Sequence, residues 1–402
     1  MITTLKDDGL SQKAKELSEM LAAGGIRYET NADGVRQLIT YGAPGTGKSY
    51  KIDKCTNESN SIRVTFHPDT DYAAFVGTYK PTMDEQERYA LDATGKTHKI
   101  EAKETSIVYS FVPQAFMKAY VEAWKRYTDA SRQGDAKNYY LVIEEINRGN
   151  CAQIFGDIFQ LLDRKKGVSE YPVKAETALA EYLSNVLEGD AAEGIRDGKL
   201  SLPANLNIIA TMNTSDQSLF PMDSAFKRRW DWKYIPTTPP ADKSRTMELS
   251  FKDKTTTKYG TTIDAGDYEY DWTEFLEKIN EKIQNATHSD DKQLGFWFVK
   301  TEEGAEEITI SSFVSKVVFY LWNDVFKDMG AKDSNPFTIK VDGKNVVMSF
   351  NSFFEMNSLG QIVENIGVLH TFLRNVGVEP KVKKAIADVQ DAAQAKEMTE
   401  EA

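Results

Sequence analysis

The sequence has few cysteines and histidines. There are two cysteines, Cys55 and Cys151, in 402 residues, which is too few for a disulfide-stapled scaffold and fits a reducing compartment. No Cys/His spacing typical of a metal site surrounds them, and the four histidines are scattered along the chain. Disulfide frameworks and zinc-type centres are therefore excluded as organising features.

Long apolar runs and excess positive charge are also missing. No stretch approaches the length that a membrane span requires, and the opening residues MITTLKDDGL carry no apolar leader, so we expect a cytoplasmic protein with no membrane partner. The net charge of −12 argues against a protein that coats nucleic acid by itself, although a local basic groove is compatible with it.

What the sequence does contain is a phosphate-binding loop in YGAPGTGKSY, residues 41 to 50. Its glycines allow backbone N–H groups to converge on phosphate oxygens, its lysine should reach the β and γ phosphates, and its serine should ligate Mg²⁺. We assign nucleotide binding to the whole loop, which consists of Gly42, Ala43, Pro44, Gly45, Thr46, Gly47, Lys48, Ser49 and Tyr50.

Strands alternate with helices around this loop over residues 35 to 236. Five segments are expected strands: 35 to 42, 62 to 66, 139 to 145, 206 to 213 and 231 to 236. This alternation predicts an α/β fold with a doubly wound parallel sheet, in which the ligand binds at the carboxyl ends of the strands. Residues 81 to 106 are expected to form a loop or hairpin, and residues 165 to 203 an insert.

Two acids end the apolar strand in LVIEEINR. A carboxylate at that position can hold the water shell of Mg²⁺, and the next can polarise an attacking water. We assign Glu144 to the metal, together with Ser49, and Glu145 to the catalytic base. The pair predicts hydrolysis rather than binding alone.

Two further segments supply polar groups at the same edge. The strand LNIIATMN delivers Asn213, whose amide can orient the water. In SLFPMDSAFKRRW, Arg228 and Arg229 end a short predicted helix, where an arginine can reach the nucleotide of a neighbouring subunit as a finger in trans.

Flanking regions complete the organisation. Residues 1 to 34 are interpreted as an N-terminal helical extension, with apolar residues at helical spacing over 4 to 22. Pro-Thr-Thr-Pro-Pro at 236 to 240 marks a boundary, and residues 237 to 402 are expected to form a mainly helical domain with a small hairpin around Asp342–Gly343.

These elements in this order resemble an AAA+ module, and their wording is similar to that of the McrB family, the motor subunits of modification-dependent restriction systems. The resemblance is carried by EEINRGNCAQIFGDIFQLLD, ATMNTSDQSL, FHPDTDYAAFVGTYKP and DKQLGFWFVK, and it covers roughly residues 35 to 300. It implies an AAA+ P-loop NTPase followed by a helical lid domain.

The resemblance further implies a homo-oligomeric ring, commonly hexameric, that hydrolyses GTP with Mg²⁺ and works with a McrC-like nuclease partner on DNA in antiphage defence. By position, Asn213 resembles the sensor asparagine, and Asp216, Asp223, Arg228 and Arg229 match residues at the subunit interface.

Three departures from the family pattern bear on function. Glu144 stands where the family usually has Asp, Gln217 replaces an interface Arg, and only residues 1 to 34 precede the module, so we expect target recognition to come from another chain. No base-reading motif selects guanine, and ATP stays open. Two alternatives are a nucleotide-gated scaffold with slow hydrolysis and an ATP-driven MoxR-like remodelling chaperone.

Overall fold

The chain divides into two units in a computed structural model that describes residues 37–91, 94, 96–131, 138–165, 167–215, 220–301 and 305–383. The first unit holds residues 48–234 together with the strand that precedes the phosphate loop, and the second holds Gly42–Gly47 and the residues from Ile235 onward. The expected N-terminal helix, Asp216, Gln217 and the charged tail beyond residue 383 lie outside the described residues.

The first unit is built on the strands that the sequence predicts, together with a hairpin and short insert strands. In chain order they are β1 Gln37–Gly42, β2 Ser61–Thr65, β3 Gly77–Leu91, β4 Thr97–Pro113, β5 Tyr139–Glu144, β6 Arg164–Lys165, β7 Val168–Ser169, β8 Val173–Lys174, β9 Lys199–Leu200, β10 Leu206–Asn213 and β11 Asp231–Tyr234.

Five of these strands form one sheet in the order β11–β1–β10–β5–β2. β1 pairs with β11, and β5 pairs with both β10 and β2, each in parallel. β10 is the central strand and β5 lies beside it, and both are mostly buried, as expected for strands covered on both faces. The predicted doubly wound α/β fold is confirmed, and the carboxyl ends of β1, β5 and β10 share one edge.

Helices of the first unit lie between the strands. They are α1 Lys48–Asp53, α2 Tyr72–Phe75, α3 Ala115–Ser131, α4 Cys151–Phe155, α5 Thr177–Val186 and α6 Ser224–Lys227, with 3₁₀ turns at Ile146–Arg148, Gly156–Leu162 and Gly189–Gly198. Gly156 (φ 51°) divides the chain after β5 into the α-helix Cys151–Phe155 and the 3₁₀ turn Gly156–Leu162.

Two insertions extend this unit. The loop or hairpin expected at 81 to 106 is the tip of the longer antiparallel hairpin β3–β4, whose register runs from Gly77 opposite Pro113 to Leu91 opposite Thr97. The insert at 165 to 203 has α5 between the paired strands β8 and β9.

The second unit has more β structure than its sequence suggested. A three-stranded antiparallel sheet and three two-stranded ones comprise β12 Thr246–Phe251, β13 Thr255–Thr256, β14 Thr262–Ile263, β15 Gly266–Asp271, β16 Thr338–Val341, β17 Lys344–Val347, β18 Phe354–Met356, β19 Ile362–Glu364 and β20 Lys381–Lys383. β16 and β17 form the predicted hairpin.

Helical segments supply most of the core of this unit. They are α7 Trp272–Thr287, α8 Ile310–Ser312 and α9 Ile366–Val376, with π-helical turns at Phe313–Val318 and Leu321–Val325 and 3₁₀ turns at Asp290–Lys292, Phe296–Phe298 and Phe350–Phe353. Across the described residues, no helix is both long and apolar enough to cross a membrane.

A buried histidine links the small sheet of the second unit to α9. His370 is 7% exposed, and its Nδ1 lies 2.8 Å from the hydroxyl of Tyr270. Burial, with a smaller contribution from Arg374, lowers the pKa of His370 to about 4. The imidazole is therefore neutral in the folded state at pH 7.

We expect His370 to make stability pH-dependent. A depressed folded-state pKa means that the unfolded chain binds the proton more tightly, so the stabilisation is complete above about pH 6.5 and is lost as pH falls toward 4. His370→Gln keeps a hydrogen-bonding side chain that does not titrate. Between pH 7 and 5, wild type should lose about 1 to 3 kcal/mol more stability than this variant.

Thermal unfolding midpoints across this pH range measure the effect. The exposed His288 is the matched control, and His288→Asn should follow wild type, since Asn tolerates its left-handed backbone. Equal acid sensitivity in wild type and His370→Gln would contradict the assignment.

Candidate nucleotide-hydrolysis site

The phosphate loop has a conformation that only glycine adopts readily at three positions. Gly42, Gly45 and Gly47 have φ values of 150°, 75° and 82°. The Thr46 hydroxyl donates to the carbonyl of Ala43 at 3.0 Å, which closes the turn from inside. The loop follows a central strand and runs into α1, the context in which such a loop binds phosphate.

The first residues of α1 contribute the charged and hydroxyl groups. Lys48 is 7% exposed, and the Ser49 hydroxyl donates to Oε2 of Glu144 at 3.0 Å. Tyr50 is 53% exposed, with the ammonium of Lys54 lying 4.9 Å from its ring centroid. Ser49 and Glu144 are thus brought together as predicted.

Glu144 collects three donors at the end of β5. Besides Ser49, its Oε2 accepts from the hydroxyl of Thr211, and its Oε1 pairs with Arg63, which also pairs with Asp53. The Glu144 side chain is 14% exposed. Arg63 and Thr211 were missed by sequence reasoning, because they lie on different strands and belong to no motif.

Glu145 stands on a strained backbone. Its φ and ψ are 55° and 48°, in the left-handed region, and its N–H donates to the Thr211 hydroxyl at 3.1 Å. Asn213 Nδ2 donates to Oε1 of Glu145. The side chains predicted for base and sensor are therefore in direct contact.

A second asparagine fixes the end of the sensor strand. Asn147 is 3% exposed, and its Nδ2 donates to the backbone carbonyl of Asn213 at 2.9 Å. This bond ties the turn after β5 to the end of β10. Asn147 belongs to the EINRGN wording, which indicates a structural reason for part of that motif.

The oxygen donors of this edge fit Mg²⁺. One hydroxyl, Ser49, and one carboxylate, Glu144, converge, and Mg²⁺ prefers few protein ligands with phosphate oxygens and waters completing its octahedron. Within the described residues, no cluster of three or more His, Cys, Asp or Glu forms a dedicated metal cage. Bound there, the ion would neutralise charge on the phosphates.

The two adjacent arginines have different environments. The Arg229 side chain is 7% exposed. Its Nε donates to Oδ2 of Asp163 at 2.9 Å, and its NH1 donates to the Ala225 carbonyl at 2.8 Å. Its guanidinium carbon lies 4.3 Å from the ring centroid of Phe159. Arg228 caps the end of α6 and is exposed. The geometry gives Arg229 a structural contact within its own chain, and its finger role stays a prediction.

Of the two aspartates expected at an interface, the structure describes one. Asp223 is the N-cap of α6 and accepts from the N–H of Phe226 at 2.6 Å while remaining exposed. It therefore orients the short helix that ends in Arg228. Asp216 lies outside the described residues.

The two cysteines are not placed for thiol chemistry at this edge. Cys151 is buried, and burial raises the pKa of its thiol to about 12, so it carries no thiolate at neutral pH. Cys55 is half-buried.

Comparisons with known proteins identify the domain in which this site lies. The model of the AAA domain, dynein-related subfamily, matches residues 37–230, which contain every site residue described above. The component YdiS of the type II restriction enzyme BsuMI from Bacillus subtilis (strain 168) is 35% identical over 336 residues, covering 79% of this chain and 88% of that protein.

A second relative is the McrB subunit of the type IV methyl-directed restriction enzyme EcoKMcrB from Escherichia coli (strain K12). It is 26% identical over 204 residues, which are 49% of this chain and 34% of that subunit. Fold and site define a nucleoside triphosphatase with an AAA+ module. The chain belongs to the McrB family of AAA+ ATPases, found in restriction systems, which confirms the family resemblance.

Glu145→Gln should separate binding from turnover. The amide keeps an oxygen that can accept from Asn213, so nucleotide affinity should stay within a few fold, while loss of the base should lower kcat by about 10² or more. Nucleotide titration and phosphate release measure the two effects.

The exposed Glu181 on α5 provides the matched control, since Glu181→Gln makes the same chemical change away from the site. Turnover of Glu145→Gln within a factor of about two of wild type would exclude Glu145 as the base.

Proposed function

We propose that this chain is the GTP-hydrolysing motor subunit of a restriction system. In this proposal it assembles as a homo-oligomeric, hexameric ring with Mg²⁺ and nucleotide at the subunit interfaces. It stimulates or positions a McrC-like nuclease partner, through which the complex acts on foreign DNA in the cytoplasm. Two observations support the setting: both relatives are named as restriction enzyme components, and one is named as methyl-directed.

The observation that carries the hydrolytic role is the cluster at the carboxyl ends of β5 and β10. Glu145 is oriented by Asn213 beside a carboxylate that holds the magnesium-side serine. A base for water and a group for the metal are thus adjacent, as hydrolysis requires. Binding alone would not need the strained backbone at Glu145.

The exposure of Arg228 supports a ring. Its guanidinium is exposed at the end of a short helix, and it makes no salt bridge with the described residues. Asp223 caps the same helix and fixes its direction. An arginine presented in this way can stabilise the transition-state charge on a nucleotide held by a neighbouring copy.

GTP rather than ATP is proposed from membership of the McrB family. The experiment is phosphate release at increasing protein concentration, run in parallel with GTP and ATP at fixed Mg²⁺. Specific activity should rise with concentration until rings form, and it should be higher with GTP. Lys48→Ala is the control for turnover by this site.

Other outcomes would replace the proposal. A slow rate independent of concentration and of added partner would favour the nucleotide-gated scaffold. A preference for ATP would favour a MoxR-like remodelling chaperone.

A mixing experiment tests the finger in trans. Arg228→Ala keeps its own hydrolytic residues and Glu145→Gln keeps its finger, so each alone should be reduced by about 10² to 10⁵. In equimolar mixed rings, roughly a quarter of interfaces pair an intact site with an intact finger, and activity should return in proportion.

Arg229→Ala is the matched control, because it removes the same side chain one residue away. It should destabilise the fold by about 2 to 4 kcal/mol by leaving the Asp163 carboxylate without its buried partner. Failure of the mixture to regain activity, with ring formation intact, would contradict a finger at Arg228.

A further inference from the structure

A short segment of the second unit, residues 294–299, is bonded to the phosphate loop through backbone groups. The N–H of Gly295 donates to the carbonyl of Pro44 at 2.9 Å, and the N–H of Trp297 donates to the carbonyl of Gly45 at 2.8 Å. The loop residues Gly42–Gly47 and this segment cluster in the same unit. Two consecutive loop carbonyls are therefore held from one side.

Because each peptide group is planar, these contacts also fix the direction of N–H groups on the opposite side of the loop. In a trans peptide the C=O of one residue and the N–H of the next point in opposite directions. Holding the Pro44 carbonyl therefore directs the Gly45 N–H away from the segment, and holding the Gly45 carbonyl does the same for Thr46. Neither of these N–H groups donates to another described residue.

The preceding peptide follows the same pattern. Its carbonyl, on Ala43, accepts from the Thr46 hydroxyl, and its nitrogen belongs to Pro44, which carries no hydrogen. Three successive carbonyls of the loop are thus occupied. The N–H groups that remain are those that a phosphate can use.

Position 295 requires glycine because the backbone of the phosphate loop lies too close for a Cβ, and not because of its backbone conformation. Its φ of −89° suits any residue, but a Cβ there would lie 2.3 Å from the carbonyl carbon of Gly45 and 2.4 Å from the nitrogen of Thr46. Both contacts are with backbone, which cannot move aside without moving the loop.

The segment is itself held firmly within the second unit. Asn280 bonds the backbone of Leu294 in both directions, at 2.9 and 2.8 Å. Trp272 Nε1 donates to the Phe296 carbonyl at 3.0 Å, and the buried Arg245 bonds the carbonyls of Phe296 and Val299. The donors that hold the loop therefore have little freedom of their own.

We propose that Gly295 and Trp297 are positioning residues for nucleotide binding: their N–H groups fix two peptide planes of the phosphate loop so that the Gly45 and Thr46 N–H groups face the phosphates. The inference rests on nucleotide binding at this loop but not on the choice between GTP and ATP.

Calorimetric titration of Gly295→Ala tests it, with GDP and ADP and with a slowly hydrolysed analogue of each triphosphate as probes, compared for the base that wild type binds. Misaligned N–H groups should raise Kd about tenfold or more for both, since these donors cradle phosphates that both probes carry. Binding stoichiometry should remain that of wild type. Gly367→Ala is the control in the same unit, because its Cβ would meet side-chain atoms and no backbone, the nearest being the terminal methyl of Thr257 at 3.0 Å and Oδ1 of Asn365 at 3.4 Å.

Asn280→Ala keeps the test decisive if Gly295→Ala fails to fold. It loosens the segment without adding an atom near the loop, and it should raise Kd in the same direction by a smaller factor. An unchanged Kd in a folded variant overturns the proposal, as does a lower stoichiometry with unchanged Kd, which would indicate a purely structural role. Absence of binding by wild type would instead contradict the proposed function.

Discussion

The parallel register between β5 and β10 is the constraint on which the hydrolytic site depends. Because Ile143 lies opposite Ala210, the residues that follow each strand fall beside one another at the same edge. Thr211 then bonds Glu144 and the N–H of Glu145, and Asn213 bonds the Glu145 carboxylate. A slip by one residue would turn these side chains to the other face of the sheet.

Two kinds of group are assigned to nucleotide binding and hydrolysis. Side chains on the sheet edge supply charge and proton-accepting capacity, and Arg63 balances the carboxylates of Asp53 and Glu144 from a third strand. The phosphate loop is shaped instead by backbone bonds from a segment far along the chain. Chemistry and loop geometry are thus controlled by separate parts of the sequence.

Much of this site could be predicted from strand ends. Glu144, Glu145 and Asn213 each follow an apolar run, and a parallel sheet brings such positions together. The different environments of Arg228 and Arg229 could not be predicted, because adjacent residues share their sequence context and differ only in packing. Backbone donors such as Gly295 leave almost no sequence signal. The strand TMELSF was missed, although its buried Met247, Leu249 and Phe251 alternate at a period of two.

At Glu145 the left-handed backbone lowers stability at the position whose carboxylate we propose as the catalytic base. A residue other than Gly or Asn costs of order 1 kcal/mol in this conformation, so the backbone alone favours Gly or Asn there. Selection for stability alone would remove the carboxylate. Homologues that bind nucleotide without hydrolysing it are therefore expected to carry Gly or Asn here. The residue at this position can then distinguish hydrolysing from non-hydrolysing members of the family.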